Sequence, residues 1–158
     1  MLRLFIIRKK MDKQIIDYLQ NKIKKIPYAF KNFYTLNDTD FSYNSIIEAK
    51  NCCIKIEIST RQVSLSISQK DNNWISMYWI SKYLNMHYSI FTINKLKGNY
   101  IKTIKKQIDN CCDFIRNNIE ILECFYNKNI ESDLEIIRKK ANQSLNQTLI
   151  TKQIEIQL

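Results

Sequence analysis

From Ile54 to Ile67 the chain alternates branched apolar and polar residues with a period of two. Ile54, Ile56 and Ile58 fall on one side and Lys55, Glu57 and Ser59 on the other, and Val63, Leu65 and Ile67 then alternate with Ser64, Ser66 and Ser68. Because successive side chains point to opposite faces of a strand, this predicts strands near 53–59 and 63–69 joined across Thr60 and Arg61. Setting Ile58 opposite Val63 places Ile56 against Leu65 and Ile54 against Ile67, a register that gathers every branched residue on one face. An antiparallel hairpin with one wet face follows. A third strand is expected near 41–50, with Tyr43, Ser45, Ile47 and Ala49 on one side.

Elsewhere the period is helical. From Asp12, apolar residues recur at Ile15, Ile16, Leu19, Ile23 and Ile26. Asp12 can cap the start of this helix, Lys24 and Lys25 suit its last turn, and Pro27 ends it. The strongest periodic signal runs near 100–127, where Ile101, Ile104, Ile108, Cys111, Ile115, Ile119 and Leu122 are spaced by three and four. A shorter helix is expected near 132–146, with Leu134, Ile137, Ala141 and Leu145 inward and Ser132 and Glu135 as a capping box. WISMYWISKYLN is rich in β-formers, but its length and the capping position at Asn72 and Asn73 favour a helix near 74–85. His87 to Ile93 reads as a short strand or extended loop, and TKQIEIQL as a late strand or a frayed end. Residues 1–10 read as a tail or an upstream over-extension of the start, and residues 11–158 as a single α+β domain with no repeat. The expected architecture is an N-terminal helix and a small antiparallel sheet packed against three further helices.

Composition adds exclusions. The chain of 158 residues holds one Gly and one Pro, which leaves few positions for the positive φ that phosphate-cradling loops use. The glycine-rich nucleotide fingerprints are absent. A net charge of +10 invites a nucleic-acid reading, but the 25 basic residues are mostly Lys, and bidentate phosphate or guanine contacts favour Arg. Lys, Ile and Asn together are what A/T-rich codons produce, so the charge reads as drift in composition or as a true electrostatic property. It is concentrated in the first thirty residues. The longest apolar run there is too short for a membrane span or a signal-peptide core, and a cytoplasmic location is expected.

Two adjacent cysteine pairs, Cys52–Cys53 and Cys111–Cys112, raise the question of a metal site. A strand sends neighbouring side chains to opposite faces, and a helix turns them apart by about 100°, so neither pair suits one tetrahedral ion. Cys52 and Cys111 read as small core residues. His87 is the single histidine, so any Ser-His or Cys-His chemistry would have to run through it, and NMHYSIF offers no activating partner. Neither cofactor, metal nor catalysis is expected. The densest aromatic group, Trp74, Tyr78, Trp79 and Tyr83, either covers the sheet or anchors an interface.

This order of segments, FSYNSIIEAKNCCIKIEISTRQVSLSIS, then NNWISMYWISKYLN, then a long helix ending ILECFYN, then ESDLEIIRKK, is similar to small bacterial α+β proteins met as uncharacterised products or as toxin-immunity proteins. The resemblance spans about residues 12–145 and rests on hydrophobic patterning. It implies a non-catalytic protein-binding protein that blocks a toxin by occluding its surface. Many immunity proteins are acidic where this chain is basic, so the implied partner is a protein with an acidic surface or a toxin that is not a nuclease. Lys22, Lys24, Lys25, Trp74, Trp79 and Lys82 are the candidate contact residues. The alternative is a basic nucleic-acid-binding accessory protein that uses the Lys-rich N-terminal region. Neither a membrane nor a small-molecule substrate is expected as partner.

Overall fold

The isoleucine hairpin forms the middle of a wider sheet in the computed structural model, which describes residues 2–36, 41–59, 62–69, 73–88, 100–127 and 130–156. The elements in order are α1 (Leu2–Ile23), β1 (Ala29–Leu36), β2 (Phe41–Glu48), β3 (Cys53–Ile58), β4 (Val63–Ser68), β5 (Ile75–Ser76), α2 (Met77–Tyr83), α3 (Tyr100–Tyr126) and α4 (Glu131–Ile156). The five strands form an antiparallel meander in chain order. The fold is α+β, as expected. The hairpin register is also the expected one: Ile58 faces Val63, Ile56 faces Leu65 and Ile54 faces Ile67, all buried.

That inner face is covered by helices. α2 and α3 pack against β4, α1 packs on α3, and α2 also meets α4. Leu19 and Ile23 of α1, Ile54, Ile56 and Ile67 of the sheet, and Ile104, Ile108, Ile115 and Leu122 of α3 join one contiguous core. Polar ties fix the approach of α3. The Val63 amide donates to Gln107 Oε1 at 3.1 Å, and the Lys50 amide donates to Glu123 Oε1 at 2.6 Å.

Several boundaries differ from the pattern-based reading. α1 starts at Leu2, so Asp12 lies within the helix and not at its N-cap, and residues 2–10 are part of the same helix. Their Leu, Arg and Lys content favours helix. The helix ends at Ile23; Lys25 and Ile26 then bond back to Lys22 and Ile23 in tight turns, because the residue before Pro27 is driven out of helical geometry. Lys24 and Lys25 thus follow the helix. β1 is an element the alternation did not reveal, since on its inner side Asn32 meets Ser45, whose hydroxyl donates to Asn32 Oδ1.

The helix expected near 74–85 is shorter, because Ile67 and Ser66 pair with Ile75 and Ser76 in β5. Ser76, and not Asn73, takes the cap position, without a side-chain bond; Asn72 lies outside the described residues. α2 closes in a Schellman motif, with Met86 N–H donating to the Ser81 carbonyl at 2.7 Å and Asn85 at φ 53, where Asn is tolerated. α4 begins at Glu131, one residue before the expected cap, and runs to Ile156. Thr151 to Ile156 are therefore helical where a late strand or a frayed end was expected, and residues 157–158 lie outside the described residues. Ser89 to Ile93 and the only glycine lie outside the described residues.

Candidate functional site

The helical spacing of Trp79 and Lys82 puts them on one face of α2, beside Tyr83, and the contact of α2 with α4 brings Ile137, Lys140 and Gln143 opposite. Together they line an open groove of about 390 Å³. The Lys82 ammonium lies over two rings, 5.7 Å from the Trp79 centroid and 5.3 Å from that of Tyr78, and donates to Tyr78 Oη at 3.3 Å. Tyr78 and Trp79 meet edge to face at 4.9 Å. Tyr83 is 38 % exposed, and its hydroxyl donates to Asp133 Oδ1 at 2.8 Å; this bond, foremost, raises its pKa above the ordinary value. Neither Lys82 nor Lys140 forms an ion pair with a carboxylate among the described residues, whereas Lys139 is paired with Glu135 at 3.0 Å. The groove therefore offers aromatic surface and unneutralised positive charge side by side. Trp79 also packs partly against the core.

The other candidate residues lie elsewhere. Trp74 precedes β5 and sits on the outer face of the sheet, with the Lys55 ammonium 4.9 Å from its ring centroid. Lys24 and Lys25 are exposed in the turn after α1. Lys22 is engaged within the fold: its ammonium lies 2.5 Å from Asp109 Oδ1, and the Tyr18 hydroxyl donates to both oxygens of the same carboxylate at 2.9 and 2.8 Å. The ammonium groups of Lys22 and Lys105 approach the Tyr18 ring at 5.1 and 5.0 Å. This cluster ties α1 to α3, and Lys22 serves the scaffold.

Burial pushes the Asp109 carboxyl up, but the hydrogen bonds from Lys22 and Tyr18 together outweigh it and hold the carboxyl below its usual range. A depressed folded-state pKa adds stability that is present above the unfolded value of about 3.9 and is lost as pH falls through the folded value. Asp109→Asn is thus expected to cost about 1 kcal/mol at neutral pH, since the side chains of Lys22 and Asp109 are 29 % and 35 % exposed and water screens the pair. The deficit should shrink on acidification below about pH 4, as urea unfolding at a series of pH values would record. A deficit that stays constant with pH would show that the carboxylate charge contributes nothing.

The cysteines separate as their faces require. All five are free. Cys52 is buried and Cys53 is half-buried on the opposite face. Cys111 lies in the core stripe, and Cys112 is buried too, because α1 covers that flank of α3 and brings Lys22 near it. Burial raises the Cys111 thiol far above its ordinary value and pushes Cys112 up to about 11. The thiolate is the reactive form, so a maleimide at neutral pH is expected to modify exposed Cys124 first and Cys53 more slowly. Cys52, Cys111 and Cys112 should react only after unfolding, as peptide mass mapping would show. Rapid labelling of Cys112 in the native protein would contradict the packing of α1 on α3.

His87 is exposed and borders a hollow of about 210 Å³ with Asn110, Asp113, Asn117 and Asn118. Among the described residues no group of three or more His, Cys, Asp or Glu side chains is placed to hold a metal ion, and no helix is long and apolar enough to cross a membrane. The chain matches no protein family, no curated protein and no solved structure.

Proposed function

We propose that the protein is a non-catalytic binding protein that covers an acidic surface of another protein with the groove between α2 and α4, in the manner of a bacterial toxin-immunity protein. The observation that carries this reading is the Lys82 ammonium stacked on Trp79 and Tyr78 beside Lys140, with neither lysine paired to a carboxylate among the described residues. Aromatic residues flanked by cations make strong interface anchors, and a surplus of one charge sign speeds encounter with the opposite sign. A helix pair fixed to a five-stranded sheet gives such a surface a preformed shape, which lowers the cost of binding. Five cysteines outside any disulfide suit the reducing cytoplasm in which a toxin partner would be met.

The test is capture from nuclease-treated lysate of the native cell, followed by titration of the captured protein at increasing salt. A stoichiometric complex with an acidic protein, weakened when Lys82 is replaced, is the expected result. Absence of any such partner, with tight binding to random DNA that falls log-linearly with salt, would sink the reading in favour of the nucleic-acid alternative.

A further inference from the structure

The outer face of the sheet carries a second groove, of about 450 Å³, lined by Lys31, Ile46, Glu48, Cys53, Ser68 and Trp74 among others. Strand pairing builds its floor. Glu48 faces Cys53, and Cys53 faces Ser68, so the three side chains form one row across β2, β3 and β4, because directly opposed residues of an antiparallel ladder share a face. In the next row Lys31, Ile46 and Lys55 are likewise opposed. The Lys31 ammonium lies 2.6 Å from Glu48 Oε1 with 73 % of its side chain exposed, which places it at the rim. The Lys55 ammonium holds one side of the Trp74 ring at 4.9 Å.

Ser68 is the anomaly in this row. It is 1 % exposed, on the face that carries its polar neighbours Ser64 and Ser66, and its hydroxyl has no hydrogen-bond partner among the described residues. Buried hydroxyls are paired in the great majority of cases, and each orphan calls for an explanation. A groove whose volume falls within the range of small-molecule sites, with Ile46, Ala49 and Trp74 beside the polar Lys31, Glu48 and Ser68, supplies one. The polarity of the ligand follows from the charges. The Glu48 carboxylate is already engaged by Lys31, the ammonium groups at hand are those of Lys31 and Lys55, and the chain carries +10. A cationic ligand is repelled, and an acceptor is received by the Ser68 hydroxyl.

We infer that this groove binds a small aromatic molecule bearing a carboxylate or carboxamide, its ring against Trp74 and Ile46 and its oxygen accepting the Ser68 hydroxyl. Trp74 and Ser68 both line the groove, so a ring stacked on the indole lies beside the hydroxyl. The site is independent of the groove between α2 and α4.

The test uses 2-naphthoate, 2-naphthamide and 2-naphthylmethylamine as probes, followed by amide NMR shifts of the full chain. The acid and the amide are expected to shift Cys53, Ser68 and the Trp74 indole and to slow maleimide labelling of Cys53 in a Cys124→Ala background; the amine is expected to do neither. Ser68→Ala removes a hydroxyl with no partner, so it should unfold at the same or higher urea concentration while binding both acceptors about tenfold more weakly. Trp74→Leu should weaken them as well. Unchanged naphthoate affinity in Ser68→Ala, tighter binding of the amine than of the acid, or no shift with any probe at millimolar concentration would each overturn the inference.

Discussion

Ile56→Ala is expected to lower the unfolding free energy by about 3–4 kcal/mol, a large share of the roughly 5–15 kcal/mol that holds a domain together. Ile56 is fully buried in β3, the central strand of five, between Ser45 of β2 and Leu65 of β4. Hydrogen bonds on both edges stop the strand from moving into the space that truncation would leave, and α3 closes the face above. The cavity therefore persists, and its cost adds to the lost transfer free energy. Lys55→Ala, one residue away on the outer face, should cost less than about 1 kcal/mol, because it loses only a cation–π contact and a long 3.8 Å approach to Glu57. Urea unfolding that shifts the midpoint at constant slope measures both. If Lys55→Ala proved the more damaging of the two, the inner and outer faces of the hairpin would be inverted.

The contrast between those neighbours was legible in the sequence because period-two alternation of branched residues admits only one register that buries them all. α3 was legible for the matching reason at a period of three and four. β1 was not, since the polar pair Asn32 and Ser45 stands on its inner side where alternation needs apolar residues. The strand at Ile75 and Ser76 was hidden inside a run of helix-compatible length, and only pairing with β4 separates it from α2. That division has a functional consequence: Trp74 and Trp79, grouped by proximity in sequence, belong to different grooves. Trp79 and Lys82 came together because residues three apart share a helix face. Lys140 and Asp109 could not be foreseen as their neighbours or as the partner of Lys22, since docking α2 on α4 and α1 on α3 is tertiary information with no local signal.

Trp79→Ala is expected to weaken the complex with the proposed acidic partner by at least about 2 kcal/mol, roughly thirtyfold in Kd. The indole is half-buried at the groove wall and holds the Lys82 ammonium over its face, so truncation removes apolar area and releases the cation from its fixed position. Because Trp79 also rests partly on the core, some of the measured loss could arise from a loosened α2, and Lys82→Glu separates the two causes. Lys82 is exposed and reversing its charge leaves the core intact, so thermal unfolding should scarcely move. Association with an acidic partner should nevertheless slow, with a weaker dependence on salt than in the unaltered protein. Lys24→Glu, with the same change in net charge but in the turn after α1, provides the reference. If both reversals slow association equally, the partner responds to overall charge and the groove is not the contact; if only Lys82→Glu does so, the docking face lies between α2 and α4.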